Sequence, residues 1–93
     1  MRIEDLIWLD EIVEKLEIKH QVSIGEVEQI LEGQPHFRYI SRGRHRRSES
    51  VYAAYGQTEA GRYLTVFFIY KPGRLALIIS ARDMDNKERK TYG

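Results

Sequence analysis

Three histidines and fifteen Lys and Arg, with no cysteine, set the chemistry open to this 93-residue chain. A histidine titrates near neutral pH and can take or return a proton. A guanidinium can clamp a phosphate through two parallel hydrogen bonds. Without cysteine there is no thiolate nucleophile and no disulfide, which agrees with a reducing cytoplasm. The acids Asp10, Glu11, Glu14 and Glu17 spread along a solvent face instead of clustering, which speaks against a two-metal site. No His-x-x-x-His or Cys/His spacing offers zinc ligands, and no glycine-rich phosphate loop is present. The side chains favour metal-independent phosphodiester transfer. That reaction needs a base for the ribose 2′-OH, an acid for the leaving 5′-oxygen, and cations for the phosphate charge.

Each candidate carries a plainer alternative. His20 is the first choice for proton transfer; its other role would be to cap helix carbonyls. Lys19 beside it is the weaker candidate, since such a lysine is more often just a solvated helix end. Arg82 stands at a strand end, free for phosphate or paired with Asp83 or Glu88. Arg89 and Tyr92, three apart on one helix, either bind phosphate and stack on a base or lock the helix to the sheet. Arg42, Arg44, Arg46 and Arg47 form the densest charge, suited to phosphates or to an acidic protein surface. Tyr39, Tyr52, Tyr55, Tyr63 and Tyr70 either stack on bases or sit half-buried in a sheet. His36 and His45 lack supporting spacing and receive no role.

The elements that must position these residues centre on the run from Arg62 to Arg82. Two apolar, β-branched and aromatic stretches flank Lys71-Pro72-Gly73, which predicts a hairpin with strands at about 62–70 and 74–82. Leu64 to Ile69 has only Thr65 as a polar break, so that strand is expected inside a sheet. Arg62, Arg74 and Arg82 punctuate the ends, an apolar platform edged by cations. Leu9, Ile12, Val13 and Leu16 make one helical stripe, predicting a helix over about 9–20. Ser23 with Glu26 is a capping-box pattern for a second helix, and Gly33 with Pro35 ends it. Residues 36–41 and 51–56 read as strands, 42–50 as a mobile loop, and 85–92 as a final helix capped by Asp83 or Asp85. Residues 3–8 fit either an edge strand or a helical turn. The expected fold is α+β: a single domain (1–93) with two N-terminal helices on a four-stranded antiparallel sheet and a short C-terminal helix.

The net charge of +1 conceals an asymmetry. Residues 1–33 hold nine acids and three bases, a net of −6; residues 34–93 hold twelve bases and five acids, a net of +7. Either one face meets an anionic partner such as nucleic acid, or each half solvates its own surface. No apolar run is long enough to span a bilayer, and no signal peptide is evident at the start.

Trp8, Lys19-His20-x-Val22-Ser23, Gly61-Arg62-Tyr-Leu-x-Val, Ile78-Ile79-Ser80-Ala81-Arg82 and Glu88-Arg89-x-x-Tyr92, in that order, resemble the BrnT family of bacterial toxins across nearly the whole chain. The resemblance implies a small ribonuclease toxin with a RelE-like fold and no cofactor. It also implies a cognate ribbon-helix-helix antitoxin, with DNA bound only indirectly through that partner. It makes His20, Arg82 and Arg89 the catalytic set and Lys19, Arg62 and Tyr92 RNA contacts, while the charge density of Arg42, Arg44, Arg46 and Arg47 makes them an antitoxin or RNA surface. The chain departs from the family at Gln21, where Gly is common, at Trp8-Leu9-Asp10, where Trp and Asp are usually adjacent, and at Val51, where an Arg is usual. Val51 favours an alternative: a catalytically inactive module of the same fold that grips antitoxin or RNA.

Overall fold

The structure is a computed structural model that describes residues 1–42 and 49–92, with Arg42 as backbone only. In chain order the elements are β1 (Asp5–Ile7), α1 (Asp10–Lys15), a π-helical turn (Leu16–His20), α2 (Ile24–Glu32), β2 (His36–Arg42), β3 (Ser50–Gln57), β4 (Tyr63–Lys71), β5 (Leu75–Asp83) and α3 (Asn86–Tyr92). The basic segment expected as a loop falls mostly outside the described residues. That holds for Arg44, Arg46 and Arg47; Arg42 closes β2.

The strands form one sheet in the order β1-β5-β4-β3-β2. β2 to β5 run antiparallel to their neighbours, while β1 pairs parallel to β5, Leu6 against Ala76. The expected four-stranded antiparallel sheet is therefore corrected to a five-stranded mixed one. Three residues show no readable period, and β1 exists because of partners about seventy residues away. The two N-terminal helices are also corrected: they follow a strand and form a short pair, six residues of α1 extended by the π turn and nine of α2.

Local rules account for most boundaries. Ser23 Oγ accepts the Glu26 N–H at 3.2 Å and Glu26 Oε1 accepts the Ser23 N–H at 3.1 Å, the reciprocal capping box. Asp85 and Glu88 repeat the device at α3, at 2.8 and 2.9 Å. The hairpin turn places Gly73 at φ +84° and Arg74 at φ +60°, the left-handed geometry that glycine tolerates best. The π turn ends where the N–H groups of Gln21 and Val22 both reach the Leu16 carbonyl. Gln21 lies at φ +51°. Glycine is the ordinary solution there, which gives a physical reason for the family's usual residue at this position.

β4 is the central strand, and its alternation divides the molecule. Leu64, Val66 and Phe68 point to the helices and are fully buried with Leu16, Val22, Val27, Ile30, Ala54, Ala76, Ile78 and Ala81. α2 lies close on β3: a Cβ at Gly56 would sit 3.1 Å from Ile30 Cγ2. Tyr63, Thr65 and Phe67 point to the opposite face, where α3 packs.

Candidate functional site

Of the charged residues singled out in the sequence, Lys19, His20, Arg62, Arg82 and Arg89 lie at one end of the sheet, where β4 starts and β5 stops. There they divide between its two faces. Successive strand residues point to opposite sides, so Arg82 and Asp83 go different ways.

On the α3 face, Arg82 holds Glu88 through two parallel bonds, Nη1 to Oε1 at 2.7 Å and Nη2 to Oε2 at 2.9 Å. Its Nη1 also donates to the Asp83 carbonyl at 3.1 Å, and its guanidinium lies 5.2 Å from the Phe67 ring centroid. Glu88 further accepts the Thr65 hydroxyl at 3.0 Å and the Asp85 N–H. The paired-arginine alternative for Arg82 is therefore what the side chain does here. Arg89 behaves differently. Its guanidinium stacks 3.6 Å over the Tyr63 ring, and Tyr92 meets the same ring edge-on at 6.0 Å. Among the described residues no carboxylate lies within ion-pair distance of Arg89. A ring-supported, solvent-exposed cation with no anion of its own is suited to receive one. Tyr63 as its platform was not foreseen. The signal was the Tyr63-x-Thr65-x-Phe67 alternation, which puts the ring on the α3 face.

On the helix face, Arg62 joins three segments. Its Nε donates to Asp83 Oδ1 at 2.8 Å, and its Nη2 to the His20 carbonyl at 2.8 Å. Its Nη1 donates to the Gln21 carbonyl at 2.6 Å and lies 3.3 Å from Glu26 Oε1 and Oε2. His20 is half-buried and Lys19 exposed. The structure thus brings Arg82, Arg89, Tyr63 and Tyr92 together around α3. It sets His20, Lys19 and Arg62 on the other side of the same sheet end, and among the described residues the two groups share only Asp83, whose carbonyl accepts from Arg82 and whose carboxylate accepts from Arg62. Val51 lies on β3 opposite Ile69, four residues along β4 from Thr65, the strand partner of Arg82.

Two surface clefts lie elsewhere, one lined by Ile3, Leu6, Leu31, Glu4 and Glu28, the other by Gln29, Glu32, Gln57 and Glu59. Their acidic linings have the wrong sign for phosphate. Among the described residues no three His, Asp or Glu side chains gather as a metal ion would require, and no helix is long and apolar enough to cross a membrane.

The carboxylates of the site are held ionised. Burial pushes the Glu88 carboxyl upward, but the Arg82 bonds and the Asp85 and Thr65 donors outweigh it, so the value falls below the usual range. Asp83 is lowered by Arg62 foremost, with a smaller effect of His20. Depressed values mean stability that is fully present above the ordinary carboxylate range, about 4. It is lost as pH falls through the lower folded value. Glu88→Gln should cost about 1–3 kcal/mol at pH 7, since a charged acceptor of several bonds is removed. The gap from the unaltered protein should close as pH drops below 4. Thermal melts from pH 7 to 3 measure it; a gap independent of pH would mean that Glu88 contributes by shape alone.

A five-stranded sheet with a helix pair on one face and a cation-bearing helix on the other matches a solved ribonuclease toxin in outline. The 1.1 Å crystal structure of the Brucella abortus ribonuclease toxin BrnT superposes with a TM-score of 0.61, at 15% identity, over 88% of this chain and 97% of that one. A likeness at that identity speaks for the fold alone. The profile of the BrnT ribonuclease toxins of type II toxin–antitoxin systems matches residues 8–88, and the chain belongs to that family. No curated protein matches the chain. Membership carries a toxin role and an antitoxin partner.

Proposed function

We propose that the protein is an endoribonuclease toxin that acts in the cytoplasm and arrests growth by cleaving RNA without a metal ion. The observation that carries this reading is the family match over residues 8–88. In the proposed reaction His20 removes the proton of a ribose 2′-OH. The freed oxygen attacks the adjacent phosphorus, and the 5′-oxygen leaves with the proton that the protonated His20 returns. Arg89, and the donors of Arg82 that Glu88 does not occupy, neutralise the pentacovalent phosphate. Tyr92 and Lys19 contact the flanking RNA. The free guanidinium of Arg89 over Tyr63 supports this placement.

The partner is proposed to be a ribbon-helix-helix antitoxin whose acidic segment meets Arg42, Arg44, Arg46 and Arg47, with DNA bound only through it. Association indifferent to salt would speak against that docking.

The purified protein incubated with total RNA and EDTA should cleave it and leave 2′,3′-cyclic phosphate ends, since the nucleophile is the ribose itself. DNA, which lacks the 2′-OH, should stay intact. Cleavage abolished by EDTA, or cleavage of DNA, would overturn the mechanism. Val51 favours a second reading, a binding module without catalysis. It puts an aliphatic side chain on β3 where the family usually carries a guanidinium. No cleavage with or without ribosomes would establish that reading, and Val51→Arg is then the reversal to attempt.

A further inference from the structure

We infer that Arg62 is a positioning residue for His20, fixing the turn that presents the imidazole, and not an RNA contact. The inference rests on the ribonuclease reading above. It replaces the role that the resemblance gave to Arg62.

The geometry is that of a clamp. The guanidinium is half-sheltered, and the groups it holds are the carbonyls of His20 and Gln21, the Asp83 carboxylate and the Glu26 carboxylate. Nε–H and both terminal nitrogens are thus engaged inside the protein, which leaves little for a phosphate. Two of those partners are backbone atoms of the very turn that carries Lys19 and His20. The turn needs the help. It is π-helical, a form seen mostly as single turns at functional sites. It ends on Gln21 at φ +51°, where a non-glycine residue carries strain. The last carbonyls of a helix have no partner within it; here a side chain from the start of β4 supplies two of them with a charged donor. Glu26, the N3 residue of the next capping box, and Asp83 at the end of β5 flank the guanidinium from α2 and from the sheet. One side chain therefore fixes the His20 turn against three elements. A misplacement of about 1 Å in a catalytic group can cost about a hundredfold in rate.

Arg62→Lys tests this, because it keeps the charge but cannot span four acceptors. The protein should fold, and its RNA cleavage should fall about a hundredfold with KM and the salt slope of RNA binding unchanged. In the His20→Ala background the same substitution should change the residual rate little, because it acts through His20. A loss that persists undiminished in that background would overturn the inference. So would a salt slope smaller by about one phosphate contact, or a folded Arg62→Lys protein with full activity. The ribonuclease reading fails separately, if the unaltered protein cleaves nothing. The His20 amide and imidazole resonances of Arg62→Lys then decide: displaced signals uphold the positioning and unmoved ones overturn it.

Discussion

Phe68→Ala is expected to cost ~3–5 kcal/mol of unfolding free energy, a large part of what a domain of this size possesses. Phe68 is fully buried. It stacks on Tyr52 with centroids 5.9 Å apart and meets Phe37 edge-on at 6.0 Å. It faces Leu16, Val27 and Ile30 of the helical layer. Its truncation leaves a cavity walled by rigid strands and a short helix pair, which have little freedom to collapse into it. Phe67, one residue earlier, points to the α3 face and is only half-buried. Phe67→Ala should therefore cost distinctly less and act chiefly by removing the ring beneath Arg82. Urea unfolding of the two variants side by side measures the difference. A Phe67 variant weaker than the Phe68 variant would mean that the faces of β4 are reversed.

The contrast between these neighbours marks what the sequence could and could not tell. The apolar content of 62–70 said that the strand was covered on both faces, and β4 is the central strand. It did not say which face the helices took, because a nearly unbroken apolar run has no period-2 signal. Ser23 and Glu26 announced α2, and Pro72-Gly73 the hairpin, since the physics of caps and tight turns lies within a few residues. β1 was undecidable, being three residues long and held by a pairing with 75–77. The π turn was invisible because the stripe Leu9, Ile12, Val13, Leu16 fits an α-helix continuing to His20. The site suffered most from distance. Arg62 finds its partners 21 to 42 residues away along the chain, and Arg89 its ring 26 residues away. Motif order could gather these residues at one end of the sheet. Only the alternation of Arg82 and Asp83, read against a known helical face, divides them between its two sides.

That division shapes the largest expected effect on activity. His20→Ala should lower RNA cleavage by ~10²–10⁴, and Arg89→Ala by ~10²–10³. Arg89→Ala is the cleaner test. The side chain is exposed, it stacks on the Tyr63 ring with no ion pair among the described residues, and its loss should leave the melting temperature nearly unchanged. Arg82→Ala should lose activity to a similar degree, but it also strands the Glu88 carboxylate among Thr65 and the Asp85 N–H, so its rate must be read beside its stability. His20 lies with the helix layer and Arg89 on α3, so under the proposed reaction a bound RNA would cross the end of the sheet between them. If both groups act on one scissile phosphate, the double variant should lose less than the product of the single losses, since groups acting as a unit are not additive. Rates of 2′,3′-cyclic phosphate formation on a short RNA give all four values. Folded His20→Ala and Arg89→Ala proteins with full activity would remove both from the reaction. A large loss for Arg89→Ala beside a fully active His20→Ala would place the proton transfer on the α3 face.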